Sequence, residues 1–292
     1  MSKDALKQPL YWLGDHQVGE DYEKSEMPSC VNFMPETEMP GSKISSDELQ
    51  IIRHRYYFAS QFVRQKDVLE VGCGPGFGLG ALRRECKRVV GGDITQESLR
   101  RAQQHYRERV DFVSLDAHNL PFRDHCFDVV ICVASIIYLD VPAFLQECRR
   151  VLKKGGVFVL NTPNKDRPGF HPSDLSHKYY SVPELFALLN QYRFEPRFSG
   201  SFPAKSQGLR HKSQATVESA GARILNACAF VPGVIKFKGF LRKRLVSNEA
   251  FILPEEVEQE DMREVANIEL IPLPAELPNP EYRIIYVVAR AV

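Results

Sequence analysis

The feature that most constrains the fold of this chain is a series of short apolar runs that alternate with amphipathic segments. The runs lie at residues 68–71, 89–93, 110–116, 127–132 and 156–160. Strands that are apolar at nearly every position are typical of a parallel sheet covered on both faces, because a strand with one solvated face alternates polar and apolar residues. The sequence therefore predicts an α/β fold with a mostly parallel sheet and helices on both faces.

Helix signals separate these runs. The first helix is predicted from Ser46, as N-cap, to about residue 63. Thr95 and Asp140 are predicted to cap two later helices, because short polar side chains at these positions satisfy free backbone N–H groups. The helix after Asp140 is predicted to end at residues 153–155, where two lysines precede a glycine.

Charge and cysteine content exclude several classes of protein. Among 292 residues, 38 Lys and Arg stand against 37 Asp and Glu, so the net charge of +1 gives no general attraction to nucleic acid. Seven cysteines are present, none in a C-x-x-C pair, which argues against a zinc or redox site and favours a reducing compartment. The N-terminus lacks the apolar stretch of a secretory signal, and no apolar run reaches the roughly 20 residues of a bilayer span. We therefore expect a cytoplasmic protein.

The residues directly after each strand are the candidate ligand contacts, because parallel sheets bind ligands at the carboxyl ends of their strands. The first strand ends in Glu70-Val-Gly-Cys-Gly-Pro-Gly76, whose alternate glycines let a ligand approach the backbone closely. Asp93 ends the second strand and suits the two hydroxyls of a ribose. Asp116 ends the third strand, where a carboxylate suits an exocyclic amine such as that of adenine.

The glycine spacing separates this site from other nucleotide sites. A dinucleotide fingerprint has a third glycine at the sixth position, but counting from Gly72 that position is Phe77. An acid at Glu70 disfavours a bound phosphate and suits an ammonium or a sulfonium group. There is also no Gly-Lys-Ser/Thr sequence of a phosphate-binding loop.

The ordered series formed by residues 68–76, Asp93, 116–117, 120–122, 127–128 and 152–156 resembles the class I S-adenosylmethionine-dependent methyltransferases. The resemblance covers roughly residues 46–200 and the C-terminal strand. It implies a Rossmann-like seven-stranded sheet with an antiparallel last strand, and S-adenosylmethionine as cofactor. The cofactor-binding residues that it implies are Glu70, Gly72, Cys73, Gly74, Gly76, Asp93, Ile94, Asp116 and Ala117.

The same resemblance divides the chain into four parts. Residues 1–45 form an N-terminal arm, 46–202 the cofactor-binding core, 203–281 an insert or cap, and 282–292 the final core strand. The first helix resembles that of small-molecule methyltransferases of the ubiquinone-biosynthesis-like and sugar-modifying groups. In those proteins this helix covers the methionine end of the cofactor, which implies Arg55 or Tyr56 as a contact for its carboxylate.

A hydroxyl acceptor needs a base that removes its proton. The candidates are His177, His171 and Tyr138, together with His54 on the first helix. His171 and His177 lie in a long segment rich in Pro, Ser and Asp after the fifth strand, which is predicted to be a lid. Residues 133–136, Val-Ala-Ser-Ile, lack the Asn/Asp-Pro-Pro-Tyr/Phe signature of methyltransferases that act on amide or exocyclic amino groups.

The sequence thus predicts O-methylation of a small-molecule, sugar or lipid-linked acceptor. One alternative is an RNA or protein methyltransferase whose footprint is the basic cluster at residues 236–244. Another is a scaffold protein with this fold and no catalytic activity. Residues 222–246 suit either a cap helix with a solvated basic edge or an interfacial helix that contacts anionic lipid at the inner face of a membrane.

Overall fold

The computed structural model describes residues 39–204 and 250–292. Strands and helices alternate along the first stretch, as the apolar runs predict. Its elements are β1 (Lys43–Ser45), α1 (Ser46–Ser60), β2 (Asp67–Val71), α2 (Leu79–Glu85), β3 (Arg88–Asp93), α3 (Gln96–Tyr106), β4 (Asp111–Ser114), β5 (Phe127–Val133), α4 (Val141–Val151), β6 (Leu152–Pro163), α5 (Val182–Gln191) and β7 (Phe194–Pro203). The second stretch contains β8 (Ala250–Ile252), α6 (Gln259–Val265), β9 (Ile271–Leu273) and β10 (Tyr282–Ala291).

Eight of these strands form one sheet in the order β4-β3-β2-β5-β6-β10-β7-β9. The five strands from β4 to β6 are parallel, and β10 lies antiparallel between β6 and β7. This confirms the Rossmann-like α/β fold and its antiparallel last strand. The predicted count of seven strands is wrong, because β9 adds an eighth strand against residues 198–200 of β7. A three-residue strand is too short to give a recognisable sequence pattern.

Helices cover both faces of the sheet. Apolar residues of α4 and α5 form one buried cluster with one face of the strands. Those of α1, α2, α3 and α6 form a second cluster with the opposite face. Adjacent residues of β6 show the division, since Phe158 and Leu160 belong to the first cluster and Val159 to the second. Because both faces of the sheet are covered, its strands are apolar at nearly every position.

The helix ends differ in detail from the predictions. The N-cap of α1 is Ser45 rather than Ser46, because Ser45 and Glu48 form a capping box in which the Glu48 amide donates to Ser45 Oγ at 3.3 Å. Thr95 and Asp140 occupy the predicted N-cap positions without a side-chain cap hydrogen bond. The predicted end of α4 at residues 153–155 is wrong: the helix ends at Val151 and β6 begins at Leu152.

Residues 250–281 pack against the core. Strand β8 pairs antiparallel with β1, and α6 lies against α1. Leu253 and Val257 are buried among the residues of the second cluster. The four-part division of the chain stays a prediction. Residues 222–246 and the basic cluster at 236–244, as well as most of the N-terminal arm, lie outside the described residues.

No helix within residues 39–204 and 250–292 has the length and apolar content needed to cross a membrane. The same residues contain no group of three or more His, Cys, Asp or Glu side chains that is arranged to hold a metal ion.

Candidate functional site

The loop after β2 is held in a conformation that requires glycine. Gly72, Gly74 and Gly76 have φ angles of 74°, 54° and 85°, in the left-handed region that other residues rarely adopt. A Cβ atom at Gly72 would lie 2.5 Å from the Cβ atom of Ser135, which follows β5. The alternate glycines of the sequence motif therefore form a bare backbone turn at the carboxyl end of β2.

Asp93 at the end of β3 binds this glycine loop directly. Its Oδ2 accepts a hydrogen bond from the Gly74 amide at 2.7 Å, and its Oδ1 accepts from the Thr95 amide at 2.8 Å. Thr95 heads α3, so one carboxylate connects the loop, the strand end and the next helix. Two groups that the sequence predicts to share a ligand are thus in contact with each other.

Glu70 is a fully buried carboxyl at the same edge. The Tyr56 hydroxyl donates to Glu70 Oε1 at 2.9 Å, while Oε2 has no hydrogen-bond partner among the described residues. Burial raises the pKa of Glu70 to about 8, although the Tyr56 hydrogen bond opposes this shift and the nearby Asp93 adds to it. An unsatisfied buried oxygen of this kind points to a missing partner. The Tyr56 hydroxyl is committed to Glu70, which argues against its predicted contact with the cofactor carboxylate.

Asp116 follows the neighbouring strand β4, two residues beyond Ser114, which pairs with Asp93. His118 holds Asp116 in place: its amide donates to Asp116 Oδ1 at 2.9 Å, and its Nδ1 lies 2.7 Å from the same oxygen. His118 Nε2 accepts from the Asp140 amide at 3.0 Å, so the ring proton is on Nδ1, which donates to Asp116.

Sequence reasoning missed His118. Its signal is the Asp-x-His spacing directly after a strand, which suits an Asx turn. Two more predicted cofactor-binding residues follow the carboxylates directly, Ile94 after Asp93 and Ala117 after Asp116. Ala117 is buried, whereas Ile94 is 43% exposed.

Cys73 contributes backbone to the loop, not a reactive thiol. Burial raises the pKa of this thiol well above its usual range, and the charges of Asp93 and Glu70 raise it further. Its amide donates to the Gly92 carbonyl oxygen at 3.0 Å. A thiol that stays protonated is a poor nucleophile, so Cys73 has a structural role in the turn.

The carboxyl ends of β5 and β6, which the sequence predicts to carry the candidate bases, form a second part of the site. Ala134, directly after β5, has a φ angle of 58°, and its amide donates to the Asn161 carbonyl oxygen at 3.0 Å. Ser135 Oγ donates to the Gly72 carbonyl oxygen at 2.9 Å and so connects this segment to the glycine loop. Strain in a non-glycine residue at a strand end is typical of a functional site.

Asn161 is the polar side chain of this second part. It is fully buried on β6, and neither its Oδ1 nor its Nδ2 has a hydrogen-bond partner among the described residues. It pairs with Val133 of β5 and with Tyr286 of β10. A polar residue that interrupts the apolar run of β6 is the signal that would have identified it.

His54 is a core residue, not a base. It is fully buried, with Nδ1 at 2.7 Å from the Tyr286 hydroxyl and Nε2 at 3.3 Å from the Ile268 carbonyl oxygen. Burial lowers the pKa of its imidazole to about 4, and the hydrogen bond to Ile268 opposes this shift. Both ring nitrogens are therefore engaged inside the protein.

The other three candidate bases lie near the ends of β5 and β6. His171 and His177 are exposed on the segment between β6 and α5. The His177 amide donates to the Ile137 carbonyl oxygen at 2.8 Å, which fixes this segment beside the short turn that carries Tyr138. Their catalytic roles stay predictions.

The chemistry of this edge fits S-adenosylmethionine. The glycine turn is free of side chains, two carboxylates at adjacent strand ends suit hydroxyl and amine donors, and the unsatisfied Glu70 oxygen suits a positively charged ligand. The Arg55 side chain, also predicted to contact the cofactor, instead lines a cavity beside β10.

Comparison with known proteins agrees with this chemistry. Residues 69–160 match the methyltransferase domain family. A probable S-adenosylmethionine-dependent methyltransferase of Mycolicibacterium smegmatis is 32% identical over 181 residues, which are 58% of this chain and 67% of the relative. The phthiotriol/phenolphthiotriol dimycocerosates methyltransferase of Mycobacterium tuberculosis is 43% identical over 97 residues, and the chain spans only 36% of that relative's length.

Solved structures share the fold. The YcgJ protein of Bacillus subtilis superposes with a TM-score of 0.51 at 17% identity, over 85% of this chain and 99% of that one. The 4+2 cyclase SpnF superposes with a TM-score of 0.53 at 19% identity, over 87% of this chain and 84% of that one. At such identities the likeness shows the fold alone. Together with the matched domain and the relative of which two thirds is covered, it places this chain among the class I S-adenosylmethionine-dependent methyltransferases.

Proposed function

We propose that this methyltransferase acts on a hydroxyl group of a small-molecule, sugar or lipid-linked acceptor, which binds at the carboxyl ends of β5 and β6 beneath α1. The observation that carries the proposal is the buried, unsatisfied amide of Asn161. Leaving such a group without a partner costs about 1–3 kcal/mol, so its retention in a core strand indicates a ligand. A hydroxyl is a matched partner, because it donates to the amide oxygen and accepts from the amide nitrogen.

The cofactor is proposed to lie along the neighbouring strand ends. Asp93 accepts hydrogen bonds from the ribose hydroxyls, Asp116 accepts from the adenine amine, and the unsatisfied oxygen of Glu70 accepts from the ammonium group. S-adenosylmethionine supplies a methyl group that its positive sulfur activates for displacement. The glycine turn and Asp93 hold that group in position, and such positioning supplies much of the acceleration of an in-line transfer.

Proton removal from the acceptor hydroxyl is assigned to His177. Its segment is fixed to the Ile137 carbonyl beside the end of β5, and its imidazole is exposed and so free to reach a bound acceptor. Histidine is the side chain that most often serves as a general base in enzymes. His171, on the same segment, and Tyr138, in the turn after β5, are the alternatives.

One relative supports the choice of acceptor class. It is named for methyl transfer to phthiotriol and phenolphthiotriol dimycocerosates, and the ending of phthiotriol denotes hydroxyl groups. The RNA or protein alternative rests on the basic cluster at residues 236–244, outside the described residues. A cytoplasmic location, with contact to the inner face of a membrane through residues 222–246, belongs to the same proposal.

The experiment is a methyl-transfer screen with S-adenosylmethionine labelled at the methyl group, against fractions of metabolites, sugars, lipids and RNA. An O-methyl ether keeps its label in alkali, whereas a methyl ester releases labelled methanol. We expect base-stable label on an alcohol-containing fraction. Label confined to RNA, to protein or to base-labile esters would contradict the proposed acceptor.

Variants then test the site. Asn161→Leu keeps the side-chain volume and removes the unsatisfied amide, so we expect turnover to fall at least tenfold while the affinity for S-adenosylhomocysteine stays within twofold. Stability should be unchanged or higher, since an orphaned polar group is removed. His177→Ala should lower turnover more than His171→Ala, again at constant cofactor affinity. Full turnover in Asn161→Leu would show that the amide has no role in acceptor binding.

A further inference from the structure

A cavity of about 180 Å³ lies between α1, the end of β6 and the start of β10. Three arginines line it, each from a different part of the chain: Arg55 on α1, Arg167 after β6 and Arg283 on β10. The rest of the wall is mainly apolar and includes Ile51 and Ile284. Three cations brought together from separate elements give this cavity a strong positive potential.

The acidic groups near the cavity leave Arg55 without a carboxylate partner in the described part of the chain. Glu48 is the acidic residue in the lining, and its Oε2 already accepts hydrogen bonds from the Ser45 amide and hydroxyl in the capping box of α1. Arg283 pairs with Asp47 at 3.3 Å, but that carboxylate is 59% exposed and therefore well screened. Neither of these acids pairs with Arg55.

Arg55 is the decisive residue. It is only 9% exposed, and its Nε has no hydrogen-bond partner among the described residues. No carboxylate in residues 39–204 and 250–292 forms an ion pair with it. A buried charge without a partner is costly, and natural proteins keep one where a ligand supplies the opposite charge.

The position of the cavity assigns it to the acceptor and not to the cofactor. In the sheet order, β6 and β10 lie two and three strands from β2, which is about 10 and 14 Å at the usual strand spacing of about 4.8 Å. Pro163, in the cavity wall, lies two residues beyond Asn161 on the same face of β6. The cavity therefore continues the space in which the acceptor hydroxyl is proposed to bind.

We propose that this arginine cavity binds an oxyanion, a carboxylate or a phosphate, carried by the methyl acceptor. The inference rests on the proposed function for the placement of the acceptor, and adds that the acceptor is an anion. The guanidinium groups hold the anion through charge-assisted hydrogen bonds, and the isoleucines contact the apolar body next to it. The anion then fixes the distance between its own binding point and the hydroxyl that receives the methyl group.

Direct binding tests the inference without any methyl transfer. The full chain, saturated with S-adenosylhomocysteine so that the cofactor carboxylate is already in place, is titrated with benzoate, phenyl phosphate and benzamide at constant ionic strength. These probes share one ring and differ in carrying a carboxylate, a phosphate or no charge. We expect one of the two anions to bind at least tenfold more tightly than benzamide, and the better one identifies the anion class.

Arginine variants locate the binding. Arg55→Met and Arg283→Met should each weaken binding of the better anion at least tenfold, whereas Arg197→Met, an exposed arginine on β7, should change it less than twofold. Arg283→Met serves as the test should Arg55→Met fail to fold. Equal binding of the anions and benzamide, no binding of either anion, or unchanged anion binding in both variants would overturn the inference.

Two outcomes distinguish this inference from a cofactor-binding role of Arg55 and from the proposed O-methylation. If Arg55→Met weakens S-adenosylhomocysteine binding tenfold and leaves anion binding unchanged, the guanidinium serves the cofactor carboxylate and the inference is wrong. If the anion binds as expected while the acceptor screen finds no base-stable methyl ether, the proposed O-methylation fails and the anion site remains.

Discussion

At the scale of single residues, the site is marked by polar atoms that the protein leaves unsatisfied. Glu70 Oε2, Arg55 Nε and both amide atoms of Asn161 are buried without a hydrogen-bond partner among the described residues. All three residues lie on or beneath the α1 side of the sheet. Four other buried atoms of the described residues also lack a hydrogen-bond partner, Arg53 Nε, Asp67 Oδ1, Arg149 Nε and Asp166 Oδ2, so it is the position of the first three residues on one side of the sheet, and not their number, that points to a ligand.

Glu70 gives a testable dependence of stability on pH. Burial raises the pKa of Glu70 to about 8 in the folded protein, against an ordinary value of 4.5, so the folded state holds a proton that the unfolded state has released. Without cofactor, this group therefore makes the free energy of unfolding fall as the pH rises from about 4.5 to about 8. The full effect is about 5 kcal/mol, from about 1.4 kcal/mol per pKa unit.

The matched variant is Glu70→Gln, which keeps a carbonyl oxygen for the Tyr56 hydroxyl and cannot ionise. Denaturant unfolding of both proteins at several pH values should show the variant gaining stability over the wild type as the pH rises, with little difference near pH 4.5. Parallel pH profiles for the two proteins would mean that Glu70 is already ionised in the fold.

At the scale of elements, the sequence predicts the longer strands of the main sheet and misses the three-residue strands. The runs at residues 68–71 and 127–132 fall on β2 and β5. The three-residue strands β1, β8 and β9 have no such run, and pairing across more than 200 residues of chain, as between β1 and β8, leaves no local signal. The sequence therefore predicts residues 203–281 as an insert, and the contacts that residues 250–281 make with the core are not predicted.

The candidate site likewise contains residues that the sequence predicts and residues that it does not. Gly72, Asp93 and Asp116 follow buried strands, so their common edge is predictable from topology. His118 and Asn161 are recognisable only in the folded protein. His118 lies in an Asx turn and contacts the N-terminus of α4, and Asn161 is enclosed between β5 and β10. Such contacts depend on tertiary packing, which a single sequence does not display.

The segment between β8 and α6 is fixed to the cofactor-binding core by Glu256, whose side chain is 10% exposed and pairs with Arg84, His105 and Arg109 at 3.3–3.4 Å. Burial alone would raise the pKa of Glu256, but the His105 hydrogen bond and the Arg109 charge lower it below its usual range. We expect Glu256→Ala to cost about 2 kcal/mol of unfolding free energy, because it removes a nearly buried carboxylate that three partly exposed basic side chains share.

Glu255→Ala is the control for this prediction. Glu255 is 48% exposed and pairs with Arg101 alone at 3.2 Å, so its removal should cost less than about 0.5 kcal/mol. Because the folded-state pKa of Glu256 is lowered, its contribution is present above the unfolded pKa and is lost as the pH falls through the folded value. Unfolding at pH 7 and in acid should show the Glu256→Ala defect shrinking, and an equal loss in both variants would contradict a structural role specific to Glu256.

At the scale of the whole molecule, the two proposed ligands occupy separate halves of the carboxyl edge of the sheet. Strands β4, β3 and β2 present the groups proposed for the cofactor, whereas β5, β6 and β10 present those proposed for the acceptor. Ser135 joins the halves, since its hydroxyl donates to the Gly72 carbonyl. In the proposed reaction the methyl group would cross at this junction, where β2 and β5 are neighbours.

This division predicts that distant substitutions act independently. Asp93 and Asn161 lie on β3 and β6, three strand steps and about 14 Å apart. Asp93→Asn replaces one acceptor oxygen by a donor that faces an amide, so it should weaken cofactor binding about tenfold, while Asn161→Leu should weaken acceptor turnover about tenfold.

The double variant should then lose about 100-fold in kcat/KM, with a coupling energy below about 0.5 kcal/mol. A close pair such as Gly72 and Ser135 should couple more strongly. Coupling above about 1 kcal/mol between Asp93 and Asn161 would mean that both side chains hold one ligand, and the assignment of β6 to the acceptor would fail.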